Sequence, residues 1–293
     1  MILSYVASGS EAATVHSTRS TPSGLIEKNG HNVAQKGDFN GQMSFAIASK
    51  VTFATSCWEK DWRLILLTPD YLKVKQIAHH CYPFSEKLLV INNVENLEQV
   101  KQIAQEKVDQ GILTRYVVAA DILSHFDLKR ADFNEWQYYN AIAPLTAILE
   151  ASSEYLLYLT GDVYLEKPVH WIQKAIRFMQ KESDIKVANL NWNDKYREAK
   201  KESYRRTWNF FVANQGFSDQ LFLVKKGDFD APIYGQVRAD GAHYPRGDVF
   251  EKRVFSFLKN QGFRRITYRH GSYTHIETTA ALPSQDLRSQ APV

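Results

Sequence analysis

The 293-residue sequence predicts an α/β fold with a mostly parallel central sheet. Strand-like and helix-like runs alternate along the first half of the chain. The strand-like runs are almost continuously apolar, the pattern of strands covered on both faces. With 44% hydrophobic and 13% aromatic residues, a chain of this length can also bury a full core. The expected organisation is one domain over residues 45–277, with a flexible leader over 1–44 and a disordered tail over 278–293. The leader is rich in Ser, Thr, Gly, Asn and His, and the tail carries Pro283, Ser284 and Pro292, so neither has the apolar side chains to build a core element.

Val51–Cys57 is the first strand-like run, rich in β-branched residues, and Trp62–Leu67 follows as a helix. A second unit repeats this order, with an apolar run over Lys87–Asn93 and a polar helix from Leu97 to Gln110. Arg115–Val118 is a third strand and Phe133–Ala151 a helical region. Tyr155–Leu159 is the most apolar short strand in the chain. Later, Phe217–Val224 reads as a strand and Val249–Gln261 as a helix ending before Gly262. Arg264–Arg269 and Tyr273–His275 read as two further extended segments.

The charge balance is mild: 36 Lys+Arg against 32 Asp+Glu, a net +4, without the basic runs of a nucleic-acid footprint. No nucleic-acid partner is expected. The two cysteines, Cys57 and Cys81, form neither a disulfide framework nor a zinc motif, which fits a reducing cytoplasm. No run of about 18 apolar residues exists to span a bilayer, so no transmembrane segment is expected, while peripheral membrane association stays open. Phosphate-loop, dinucleotide and hydrolase-elbow motifs are absent from the sequence.

In a parallel sheet, ligands bind beyond the carboxyl ends of the strands, which directs attention to Glu59, Asn92, Asn93 and Asp162. Asp162 follows the buried strand directly, and Gly161 before it permits close approach of the backbone. A carboxylate there suits a hard divalent ion bridging phosphates, because Mg²⁺ usually takes one or two protein carboxylates plus substrate oxygens. Its plain alternative is a turn residue. Glu251 falls at the start of the helix before Gly262, where an acid also interacts well with the helix dipole, and Asp248 lies one turn earlier. His79 and His80 are adjacent and would point to different faces of a helix, so they are not expected to share an ion.

Taken in order, Thr160-Gly161-Asp162, Glu251, Gly262-Phe263 and His275 resemble the motifs of inverting GT-A glycosyltransferases of the family 2 type. In that family a strand ends in an acidic metal motif, a later helix start supplies the base eleven residues before a glycine, and a further strand leads to a metal-binding histidine. Glu251 is eleven residues before Gly262. The resemblance runs from about Phe45 to His275. Two positions depart from it: Thr160 stands where the first metal carboxylate would be, and the base position is Glu rather than Asp.

The resemblance implies a GT-A-like (Rossmann-like) domain and transfer of a sugar from a nucleotide-sugar donor to a glycan or other hydroxyl acceptor with inversion. Asp162 and His275 would hold Mn²⁺ or Mg²⁺, and Glu251 would act as base, with Asp248 as competitor. Asp219 would contact a sugar, and Thr55, Ser56, Glu59, Asn92 and Asn93 would line the nucleotide site. Two other classes remain open. A sugar-phosphate nucleotidyltransferase would show a Gly-rich basic loop after the first strand, and Thr55-Ser56-Cys57-Trp58-Glu59 is neither. A non-catalytic nucleotide- or glycan-binding protein of the same fold is favoured by Thr160. The basic cluster Lys195, Arg197, Lys200, Lys201, Arg205 and Arg206, interleaved with Tyr196, Tyr204 and Trp208, reads as a solvated helix face, with a segment over the donor diphosphate or an anionic acceptor as its alternatives.

Overall fold

A computed structural model describes residues 49–133, 135–214, 216–241 and 249–276. The expected leader, the tail and Asp248 lie outside the described residues. The first half forms β1 (Val51–Cys57), α1 (Trp62–Leu67), β2 (Glu86–Ile91), α2 (Leu97–Asp109), β3 (Arg115–Val118), α3 (Glu135–Glu150), β4 (Tyr155–Leu159) and β5 (Val163–Tyr164). Then come α4 (Ile172–Lys181), β6 (Ile185–Trp192), α5 (Tyr196–Glu202), β7 (Arg205–Arg206), β8 (Phe210–Ala213), β9 (Leu221–Lys225), α6 (Lys226–Phe229), α7 (Phe250–Asn260) and β10 (Arg264–His275).

The strands join in one sheet of order β3-β2-β1-β4-β9-β6-β10-β8-β7, with β5 added on β10. The fold is α/β with a largely parallel centre: β3, β2, β1 and β4 run parallel to one another, as do β6 and β10. Between these groups β9 runs antiparallel to both β4 and β6. That reversal matters for the site, because the start of β9 now lies beside the end of β4, with Leu159 opposite Leu221.

Burial on both faces explains the apolar strands. Every residue of β1 and of β4 is buried. Along β4, Tyr155, Leu157 and Leu159 face one core with α1, α2 and α4, while Leu156 and Tyr158 face the other with α3 and α7. In α4 the buried Ile172, Ala175, Ile176 and Met179 recur at helical spacing and cover the first face.

Two elements differ from expectation. The strand expected over Phe217–Val224 begins only at Leu221. Phe217 turns instead into the second core, against Phe222 and Phe250 at ring separations of 5.2 and 5.9 Å. Conversely, Arg264–Arg269 and Tyr273–His275 are parts of one twelve-residue strand. The polar stretch between them reads as a break, yet tertiary pairing carries the strand through with a register shift between Thr267 and Ser272. The buried Asn191 donates from Nδ2 to the carbonyls of Tyr268 (2.6 Å) and Gly271 (2.9 Å), satisfying the backbone across the irregularity.

Gly161 marks the tightest packing next to β4. A Cβ there would lie 2.3 Å from Ile65 Cδ1, 2.5 Å from the Ser56 carbonyl oxygen and 2.8 Å from Asp61 Oδ2. Because one of these neighbours is backbone, Gly161→Ala should destabilise the protein by about 1–3 kcal/mol or more. Chemical denaturation checks this, and a loss below about 0.5 kcal/mol would mean that the two segments part easily.

Candidate functional site

Beyond Leu159 the chain turns sharply, and the turn is held from below by one short π-helical segment, Tyr71–Ile77. Its buried Gln76 donates from Nε2 to the carbonyls of Thr160 (3.3 Å), Gly161 (3.1 Å) and Val163 (2.8 Å), and Tyr71 donates its hydroxyl to Gly161 O at 2.9 Å. The carbonyls of Thr160, Gly161 and Val163 are thus satisfied by side chains of one segment. Asp162 Oδ1 accepts from Thr160 Oγ1 at 2.8 Å.

β10 brings the second group. His275 pairs with Val163, and Ile276 N donates to the Asp162 carbonyl at 3.0 Å, so the two backbones are locked side by side. The main-chain N–H of His275 donates to Asn193 Oδ1 at 2.9 Å. As a result His275 Nε2 lies 3.1 Å from Asp162 Oδ2, with 22% and 18% of the respective side chains exposed. Both groups are therefore accessible from solvent.

Around this pair the electrostatics are negative. Asp219, two residues before β9, feels the charges of both Asp162 and His275. The residue keeps partial exposure, but its carboxyl is crowded by protein; burial first, then Asp162, push its pKa up to about 6. Asp61 is buried, and its Oδ1 accepts from Trp58 N at 2.7 Å. Desolvation raises its pKa well above the carboxylate range, and Asp162 adds to the rise. Tyr158, sharing a hydrogen bond of 2.9 Å with Ser56 Oγ, is raised by burial and by the same aspartates.

Tyr273 links this centre to α7. Its hydroxyl lies 3.3 Å from both Ser218 Oγ and Gln220 Oε1, and its pKa is raised by burial and then, among charges, by Glu251 and Asp219. Glu251 sits in the first turn of α7, half-buried. Glu251 and Asp219 thus both act on Tyr273, and Asp219 in turn feels Asp162 and His275.

The expected nucleotide residues are less uniform. Thr55 is fully buried inside β1, and its side chain has no route to a ligand, which corrects its assignment. The apolar strand extends over it because both faces there are core. Asn92 is buried and donates from Nδ2 to Tyr139 O at 2.8 Å, a structural bond that ties β2 to α3. Ser56 is almost buried against Tyr158. Glu59 accepts from Glu95 N at 2.8 Å and pairs with Arg63. Asn93 is exposed with φ of 49°. Asp61 and Tyr273 carry no functional signal in the sequence. Asp61 reads in sequence as an ordinary residue ahead of a helix, and no local pattern reports that its carboxyl folds back toward Asp162.

His79 and His80 do diverge. His79 Nδ1 bonds the Leu165 carbonyl at 2.7 Å, whereas His80 is buried, accepts from Trp171 Nε1 at 3.1 Å, and has its pKa lowered to about 3 by desolvation. No helix among the described residues is long and apolar enough to cross a membrane.

No family model and no curated protein matches the sequence. Among solved structures, the chain is similar to GalNAc-T7 with UDP, GalNAc and Mn²⁺, at 9% identity and a TM-score of 0.45 over 83% of this chain and 46% of that one. It is also similar to the mannosyltransferase PcManGT from Pyrobaculum calidifontis in complex with GDP-Man and Mn²⁺, at 14% identity and a TM-score of 0.48 over 82% of this chain and 59% of that one. The chain thus spans about half the length of these structures, and both likenesses are remote.

Asp219 has a pH signature. Its folded-state pKa, about 6, is above that of an unfolded aspartate, so the folded protein holds this proton more tightly and stability falls as pH rises from about 4 to about 6. Asp219→Asn should match wild type near pH 4 and become the more stable protein above pH 6. Denaturation curves across this range test it; parallel profiles would put the carboxyl in water.

Proposed function

We propose that this chain is a nucleotide-sugar-dependent glycosyltransferase of the GT-A type, transferring a hexosyl or related sugar with inversion to a hydroxyl acceptor. The observation that carries the reading is the meeting of Asp162 and His275 at the ends of β4 and β10, across 113 residues of sequence, with Asp219 beside them. The donor set suits a divalent ion. A separation of 3.1 Å is what two neighbouring ligands have around an ion with bonds of roughly 2.0–2.3 Å. Among the described residues no group of three or more His, Cys, Asp or Glu side chains is placed to hold a metal. Two protein ligands would leave substrate phosphate oxygens to complete the shell, with Thr160 in place of a further carboxylate.

Bound Mn²⁺ or Mg²⁺ would supply positive charge against a diphosphate leaving group. The remaining chemistry falls to side chains. Glu251 accepts the proton of the acceptor hydroxyl as that oxygen attacks the anomeric carbon, and Asp219 orients a sugar hydroxyl. Gln76 and Tyr71 hold the Gly161 turn that precedes Asp162. Asp248 competes for the role of base from outside the described residues.

A panel of UDP- and GDP-sugars incubated with Mn²⁺ should yield slow release of nucleoside diphosphate. Asp162→Asn and His275→Ala should each weaken Mn²⁺-dependent nucleotide binding at least tenfold by calorimetry, with melting temperature nearly unchanged. Binding that is indifferent to both substitutions would remove the metal assignment.

Glu251→Gln should lose about 10²-fold or more in turnover while still binding donor. Wild-type turnover in this variant would exclude Glu251 as base. The substitution of Thr160 for a carboxylate favours one other reading, a binding protein that has lost the chemistry; nucleotide binding without release of any product across the panel would establish it. Pyrophosphate release from a nucleoside triphosphate would instead mark a nucleotidyltransferase.

A further inference from the structure

The β7–β8 hairpin carries a feature the proposed reaction does not use. Its tip is Trp208-Asn209, closed by Thr207, whose N–H donates to Phe210 O at 2.8 Å and whose Oγ1 accepts from Phe210 N at 3.0 Å. The tip is anchored by its backbone: the Trp208 carbonyl accepts from His270 Nε2 at 3.0 Å and from Arg269 Nη1 at 3.3 Å. The Trp208 ring, however, is 85% exposed, by far the most exposed large hydrophobic side chain among the described residues. Tyr204, just before β7, is 51% exposed.

Cations lie on one face of the hairpin and on α5. Arg206 lies across from Phe211 in the ladder, and the Arg269 guanidinium sits 5.2 Å from the Phe211 ring centre, so both are on one face of the hairpin. Arg265, on the same face of β10 by strand alternation, pairs with Glu202 at the end of α5, which brings α5 to that face as well. Of the acids on α5, Glu198 pairs with Lys195 and Glu202 with Arg265. Arg197, Lys200, Lys201 and Arg206 are all exposed, and among the described residues none has a carboxylate within ion-pairing distance.

We infer that this hairpin and α5 form a docking surface for an anionic lipid bilayer, with Trp208 as the inserted anchor and Arg197, Lys200, Lys201 and Arg206 as the headgroup contacts. Two features favour a bilayer over a soluble polyanion or a glycan. A ring exposed to this degree is convex, whereas sugar and nucleotide ligands are held in concave sites that cover most of their surface. An indole at a tip is also the side chain best matched to an interface that is wet on one side and apolar on the other. Unpaired cations on the hairpin and on α5 add attraction to anionic headgroups, about 1 kcal/mol each, which is roughly a fivefold gain in partitioning per residue.

The test is co-sedimentation of the full chain with vesicles of phosphatidylcholine alone and of phosphatidylcholine mixed with phosphatidylglycerol. The protein should partition onto the anionic vesicles and not the neutral ones, and added salt should weaken the binding. Lys200→Ala/Lys201→Ala/Arg206→Ala should lower partitioning on the order of a hundredfold, by the fivefold contribution of each charge. Trp208→Ala should lower it on the order of tenfold. Because these side chains are exposed, the melting temperature of each variant should stay at the wild-type value, which separates lost docking from lost folding. Failure to bind anionic vesicles, or equal binding by wild type and variants, overturns the inference. So does retention on heparin or single-stranded DNA without vesicle binding, which would make the surface a site for a soluble polyanion.

Discussion

Three pieces of chain meet at the peptide of Gly161 with no room for even a methyl group: the end of β1, the start of α1 and the turn after β4. The π-helical segment then closes the contact from below, with Gln76 and Tyr71 binding the carbonyls of the turn. Everything polar at the site follows from this packing. It sets where Asp162 leaves the sheet, and it presses Asp61 against the turn, so that its carboxyl is desolvated beside a second one. The third carboxylate, Asp219, arrives because β9 runs backwards along β4 and begins where β4 ends. Asp162 thus raises the pKa of both Asp61 and Asp219, while its own carboxylate meets His275.

Much of this arrangement is legible in the sequence where one local signal decides the structure. β1, α1 and β4 have the limits that their apolar runs suggest: β1 and β4 are buried throughout, and α1 buries Trp62, Ile65 and Leu66 against the core. The order of Asp162 and His275 also leads to one contact in space, across 113 residues. The rest depends on contacts that no window of sequence contains. β10 crosses a polar stretch only because Asn191, on another strand, takes up its carbonyls. Asp61 looks like a residue preceding a helix until the fold turns its carboxyl toward Trp58 and Asp162.

Thr55 and Asn92 show how burial changes what a polar residue near a strand end means. A polar residue near a strand end invites a ligand role, but the same residue type serves inside a sheet when its hydrogen-bonding demand is met or tolerated there. Asn92 meets its demand at Tyr139, and Thr55 is covered on both faces. Position along the strand separates these from Asp162: Thr55 lies two residues before β1 ends, whereas Asp162 lies three beyond the last residue of β4.

β10 has a mechanical side. The strand whose middle holds the Trp208 hairpin through Arg269 and His270 is the strand whose last residue is His275. Five residues of extended chain, roughly 16 Å, join the two, gripped by β6 along one edge and by β5 at the far end. The irregularity between Thr267 and Ser272 falls inside this run, so the register of β10 against β6 is reset before the strand reaches the imidazole. The surface farthest in character from the carboxylate cluster is in this way tied to it by a single run of backbone.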